Sequence, residues 1–233
     1  MGAALARERG KGLPTDGCEI GARSGRVIRI LGKASSINVR KVLWACDEMG
    51  LAYVREDWGS GYRDTRTPGF LDLNPNGLVP VIVVDDFVLW ESNTILRYLA
   101  ASCGDCELLP AAARDRAQVE KWMDWQATEF NNSWRYAFQA LARGNPAFAN
   151  PTEIDTSLRE WSWNVGILER QLATTAYITG NRFTLADVPI GLSVNRWFMT
   201  PVPGRSDFPA VSAYYDRLSN RTAFLRHGRN GVP

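Results

Sequence analysis

Two short stretches have the makings of one binding site. Asn74-Pro75-Asn76-Gly77-Leu78-Val79-Pro80 reads as a turn followed by an X-Pro bond at the entry to a strand. Glu91-Ser92 lies eleven and twelve residues beyond Pro80, where an acid and a hydroxyl open a helix. Proline is tolerated at the first residue of a strand because no ladder donor is needed there, and a cis bond is expected at such a corner. The corner turns the backbone N–H and C=O of Val79 outward, free to pair with an extended peptide. The unpaired N–H groups at the start of the helix opened by Ser92 favour a carboxylate. Backbone pairing beside an anion site suits a short acidic peptide.

The surrounding pattern supplies the elements that must hold these residues. Val27 to Leu31 reads as a first strand and Gly32 to Ser36 as a turn. Val39, Val42, Leu43, Cys46 and Met49 then fall at helical spacing up to a stop at Gly50. Tyr53 to Glu56 is a short strand, and Phe70 to Leu73 a brief helix ended by Asn74-Pro75. Val81 to Val84 and Phe87 to Trp90 are antiparallel strands about an Asp85-Asp86 turn, and a helix runs from Ser92 to Ala101. The order βαβαββα is a small α/β layer fold of thioredoxin type. Beyond Leu109-Pro110 every periodic stretch is helical. A long helix is expected from Arg114 to Arg143, and others around Leu158 to Leu172, Val188 to Phe198 and Val211 to Leu218. Thr184 to Asp187 has the form of a capping box, with Thr184 as cap and Asp187 reaching back. Pro189 is expected near the fifth helical position, where it would kink the helix. The division is therefore an extension over 1–25, an α/β domain over 26–106, a linker over 107–113 and an all-α domain over 114–233.

Composition excludes several classes of function. A net charge of +2, with 45% apolar and 22% charged residues, gives no reason to expect nucleic acid or an anionic membrane as partner. No run approaches the ~20 apolar residues of a membrane span. The single histidine, His227, argues against a histidine-based triad or zinc site, and no metal is expected. Residues 1–25 are glycine-rich and basic without an apolar core, so they read as a disordered extension rather than a signal peptide. Four cysteines over this length suggest reduced thiols in a cytoplasm.

Taken together, these motifs resemble the soluble glutathione transferases over about residues 27–227. Val79-Pro80 with Glu91-Ser92 matches that family's glutathione motif. Gly180 to Asp187 is similar to its C-terminal capping box, and Phe208 to Phe224 to its last conserved helix. The resemblance implies glutathione as co-substrate, attack of its thiolate on small hydrophobic electrophiles in a detoxifying role, a cytoplasmic location and a homodimer. A glutathione-dependent peroxidase or disulfide reductase is the rival on the same scaffold, and a non-enzymatic ligand-binding protein the other. A free thiol near pKa ~8.5 is mostly protonated at neutral pH. A donor to the sulfur at a helix start favours the thiolate. No tyrosine lies between Val27 and Met49, and no cysteine before Cys46, so the serine-type classes (phi, theta, or a nu-like enzyme using asparagine) fit best. Ser36 is the first candidate donor, Asn38 the second and Ser35 the third. By the same resemblance Val79 and Pro80 bind the tripeptide backbone, while Ser92 and Glu91 take the two ends of its γ-glutamyl group.

Leu78 departs from the phi pattern, which carries a polar residue such as glutamine there. Arg40, Lys41, Arg63 and Arg66 are candidates for the glycyl carboxylate. Phe130, Trp134 and Tyr136 are candidates for the electrophile pocket, with Arg135 as a contact for an anionic electrophile. Trp122 and Phe138 are expected in the core. Cys103-Gly104-Asp105-Cys106 has CxxC spacing, but it follows a helix end, where the dipole disfavours a thiolate.

Overall fold

The computed structural model describes residues 27–103 and 107–233. The extension over 1–25, and Cys106 of the CxxC pair, lie outside them; Cys103 closes the C-terminal end of a helix. The first part is built from β1 (Ile28–Leu31), α1 (Ile37–Met49), β2 (Tyr53–Glu56), α2 (Pro68–Leu71), β3 (Val81–Val84), β4 (Phe87–Trp90) and α3 (Ser92–Ser102). This is the expected thioredoxin-like order. The sheet runs β2-β1-β3-β4, with β1 and β2 parallel and the other two pairs antiparallel. Strand periodicity divides the core between its faces. Ile28, Ile30, Ile82 and Val84 join the main core with α1 and α3, whereas Leu31, Val81 and Val83 pack on Phe70 of α2.

The second part is all helical: α4 (Ala113–Trp125), α5 (Asn131–Leu141), α6 (Pro151–Leu172), α7 (Asp187–Met199), α8 (Pro209–Leu218) and α9 (Thr222–His227). The long helix expected over 114–143 is interrupted. Between α4 and α5 a π-helical turn spans Gln126–Phe130. Such single turns inside α-helices often sit at functional places. Here it accompanies a fully buried Gln126, whose Nε2 donates to Ser193 Oγ at 2.9 Å and whose Oε1 accepts from Lys41 Nζ at 2.9 Å.

Helix α1 is the element that both parts share. Trp44 packs on Phe183 and Phe224, and Gly191 of α7 comes so close that a Cβ there would lie 2.9 Å from the indole. Glu48 receives Arg221 in a fork at 2.8 and 2.5 Å, and Asp47 receives Arg226 at 2.7 Å and His227 Nε2 at 2.8 Å. The lone histidine is thus a strut between α9 and α1. At its far end α1 stops at Gly50, left-handed with φ 64°, as the sequence implies.

Two local expectations need correction. Helix α7 begins at Asp187, so Pro189 sits in its first turn, where a missing N–H has no intrahelical acceptor to leave empty. Only half of the capping box forms. Asp187 reaches back to Thr184 N at 2.8 Å, but the Thr184 hydroxyl turns to the same carboxylate and to Thr179 rather than capping a backbone N–H.

Lys41 is 3% exposed, and burial, with Arg196 nearby, brings its pKa down to about 7. An amine whose folded pKa lies below its unfolded value binds its proton better when unfolded. Its contribution to stability therefore rises with pH between about 7 and the ordinary lysine range. Urea unfolding at pH 7 and pH 9 should show wild type gaining on Lys41→Met, by at most ~1.4 kcal/mol per pH unit.

Candidate functional site

The loop between β1 and α1 is pressed against the Val79-Pro80 corner. Gly32 has φ 155°, and a Cβ there would come 2.4 Å from Val39 and 3.1 Å from Val79, so only glycine permits this approach. Ser36 is the N-cap residue of α1, with extended backbone, yet its side chain caps no backbone N–H. The ordinary task of a serine in this position is therefore not performed, and Ser36 is among the residues that line a cleft. No acid occupies the first turn of α1, so nothing there offsets the positive end of the helix.

The Val79–Pro80 bond is cis, as expected, and the β3–β1 pairing begins only at Val81. Asn74 shapes the approach to this corner. It is 3% exposed, donates to Leu78 O at 2.8 Å and accepts from Asn76 N at 3.1 Å. Glu91 precedes α3 at φ 71°, an uncommon conformation for a residue with a side chain. Ser92 begins the helix, and its hydroxyl donates to Asn38 Oδ1 at 3.4 Å. Asn38, Val79, Pro80, Glu91 and Ser92 line one hollow of about 70 Å³ with Asn74, Asn76 and Leu78. The structure thus brings together both stretches singled out in the sequence and joins them to α1 through Asn38.

Asn38 also lines a second, larger cleft of about 740 Å³ between the β1–α1 loop and the helical part. Ser35, Ser36 and Lys33 line one side; Trp134, Arg135, Phe138, Arg143 and Arg196 line the other. Of the residues named for the electrophile pocket, Trp134 and Arg135 are on the lining of this cleft. Phe130 does not reach the cleft: it is fully buried and stacks on Trp125 at 5.1 Å. Nor does Tyr136, whose ring packs on Phe148 and whose oxygen accepts from Asn150 N. Tyr136 lies two residues from both Trp134 and Phe138, so helical spacing turns it away from the face they share; Phe130 ends the π-helical turn and is buried in the core. Phe138, expected only as core, is 3% exposed but also lines the cleft. Trp122, the other residue expected in the core, is only half-buried.

Two of the four cations considered for a carboxylate are corrected by burial. Arg40 is 2% exposed and bonded to the carbonyls of His227, Gly228 and Val232. Lys41 is engaged with Gln126. Arg63 pairs with Glu56 at 3.2 Å and lies over the Trp58 ring. Arg66 remains against the Gly77 turn that borders the small hollow.

Arg196 was visible in the sequence only as one base in an apolar helix. It is 4% exposed, and its guanidinium lies over the rings of Trp134 at 4.4 Å and Phe138 at 3.9 Å. Burial, then the neighbouring Arg40 and Arg143, bring its pKa down to about 9, which still leaves it charged at neutral pH. Cys46 is buried in the core, where desolvation pushes its thiol up, so it is an inert packing residue. Among the described residues, no group of three or more His, Cys, Asp and Glu side chains is placed to hold a metal ion. None of their helices is long and apolar enough to cross a membrane.

Comparison with known proteins agrees with this geometry. The glutathione S-transferase N-terminal domain family matches residues 35–102, and the C-terminal domain family matches residues 138–222. Glutathione S-transferase GstB of Escherichia coli is 34% identical over 84% of this chain and 95% of its own length. The theta class glutathione S-transferase of Xanthomonas axonopodis pv. citri, solved with glutathione bound, superposes with a TM-score of 0.81 at 36% identity, covering 86% of this chain and 96% of that one. Elongation factor 1-gamma 3 of Oryza sativa is 31% identical over 69% of this chain, which spans only 39% of that protein. With the cis corner, the α3 helix start and the α1 start converging as they do, the chain belongs to the soluble glutathione transferase family.

Proposed function

We propose that the chain is a serine-type transferase of theta-like character that conjugates glutathione to electrophiles held in the large cleft. The observation that carries this reading is the convergence of three elements on one hollow: the α1 start, the Val79-Pro80 corner and the α3 start. Glutathione lies along Val79 as an added strand. Ser92 takes the γ-glutamyl carboxylate through its hydroxyl and helix-start N–H groups, Glu91 takes the ammonium, and Arg66 takes the glycyl carboxylate. The thiol then points to the cleft side of the α1 start.

Ser36 donates its hydroxyl to the sulfur and stabilises the thiolate. Asn38, its Oδ1 engaged by Ser92, has its amide N–H groups left to assist. The thiolate attacks the electrophilic carbon, a sulfur–carbon bond forms, and the leaving group departs with its electron pair. A cytoplasmic homodimer with a detoxifying role accords with this assignment. The partial likeness to elongation factor 1-gamma supports a second reading, a fold kept for assembly rather than turnover, but the complete Ser36, Val79 and Ser92 constellation favours the enzyme.

Titration calorimetry with glutathione, beside conjugation of 1-chloro-2,4-dinitrobenzene, tests the reading. Ser92→Ala is expected to weaken glutathione binding by about tenfold, as a lost charge-assisted hydrogen bond should. Absence of both binding and turnover in the folded wild type would overturn the assignment.

A further inference from the structure

The cleft proposed for the second substrate is cationic. Lys33, Arg135, Arg143 and Arg196 line it, and no carboxylate side chain among the described residues lines it with them. Arg196 is the informative member. It is held between two aromatic rings and the interior, and its buried Nε has no hydrogen-bond partner. Its Nη2 makes only a long 3.5 Å contact with a backbone oxygen of Pro233. Arg143 approaches the Phe138 ring from the exposed rim at 5.3 Å. Arg40 cannot serve as a relay to an outside ligand because the 227–232 carbonyls already hold it. Burying a guanidinium beside other cations, with no Asp or Glu side chain among the described residues paired to it, is unfavourable unless something fills the gap. A carboxylate fits the fork of Arg196 and the rim charge of Arg143, and the Trp134 and Phe138 rings offer an apolar wall beside it.

We propose that the second substrate is an anionic electrophile, a carboxylate-bearing molecule whose charge is bound by Arg196 and Arg143 while its apolar part rests on Trp134 and Phe138. The proposal rests on the transferase reading and adds the substrate class. With an aryl chloride, the thiolate sulfur bonds to the carbon carrying chlorine and the ring and its nitro groups hold the displaced electron pair. The carbon–chlorine bond then breaks, chloride leaves with its pair, and the thiol proton passes to solvent.

The test uses 4-chloro-3,5-dinitrobenzoate and its methyl ester, which share one ring and differ in one charge, together with their chemically prepared glutathione conjugates. Equilibrium binding of the conjugates to the whole chain should favour the acid over the ester by about tenfold. That preference should fall towards unity in Arg196→Gln, in Arg143→Gln and at high salt. Arg143 is exposed, so its variant keeps the test open should the Arg196 variant not fold. Equal binding of acid and ester by wild type, or a preference retained in Arg143→Gln and Arg196→Gln alike, would sink the proposal. So would weakened binding of free glutathione in these variants, which would assign the cluster to the tripeptide. Failure of the transferase reading shows separately, as absence of glutathione binding and of turnover with either chloride.

Discussion

Ser36→Ala is expected to lower the turnover of glutathione conjugation by about a hundredfold to a thousandfold, the usual effect of removing one donor aimed at a developing or resident anion. Affinity for glutathione should change little, because the proposed hydroxyl contact is to the sulfur while the peptide backbone and both carboxylates are held elsewhere. The thiol pKa of bound glutathione should rise towards the free value of ~8.5. Ultraviolet difference titration of the thiolate reads this directly. The structural reason for choosing Ser36 is that its hydroxyl does not cap α1, although its backbone occupies the cap position. A capping serine replaced by alanine would instead cost about 1 kcal/mol of stability with no change in the sulfur. An unshifted thiolate pKa with a lowered melting temperature would therefore return Ser36 to the structural role. A shift appearing in Asn38→Ala or Ser35→Ala would name the donor in its place.

The hollow around Val79-Pro80 and Ser92 was legible because its signals are local. Gly50 and Asn74-Pro75 punctuate the chain, strand alternation divides Leu31 from Ile30, and Pro80 and Ser92 sit at element starts where their chemistry follows from position. The large cleft was legible only in part, through Trp134, Arg135 and the serines before α1. Lys41 and Arg40 look like solvated charges in any reading by residue type, yet one is held by Gln126, 85 positions away, and the other by Gly228, 188 positions away. The π-helical turn over Gln126–Phe130 leaves no punctuating residue in the sequence, neither glycine nor proline, so 114–143 reads as one helix. Arg196 could be placed only once α5 and α7 were known to converge, since nothing in its own helix distinguishes a base facing a cleft from one facing solvent.

The largest expected loss of stability comes from Asp187. Its carboxylate is fully buried and accepts four hydrogen bonds: from Ile178 N at 3.0 Å and Tyr214 Oη at 3.0 Å on one oxygen, and from Thr184 N at 2.8 Å and Thr184 Oγ1 at 3.2 Å on the other. It joins the loop before α7 to α7 itself and to α8. Asp187→Ala leaves two backbone N–H groups and two hydroxyls without their acceptor in a site too enclosed for easy solvation, and about 3–5 kcal/mol should be lost. In a chain of this size that is a fall of roughly 10 °C in melting temperature by circular dichroism. Asp187→Asn keeps the shape but presents an amide N–H₂ where donors already point, so it should also destabilise, though less.

The pH dependence distinguishes this account from simple loss of packing. Burial outweighs the hydrogen bonds and raises the Asp187 pKa to about 6. An acid whose folded pKa exceeds its unfolded value holds its proton better when folded. Its contribution is therefore greatest below the unfolded pKa near 3.8, declines as pH rises to about 6, and is constant beyond. The gap between wild type and Asp187→Asn should narrow from pH 4 to 6 and stay level from pH 7 to 8. A gap independent of pH throughout would mean that the carboxylate titrates as it does in the unfolded chain, and that four donors offset its desolvation in full.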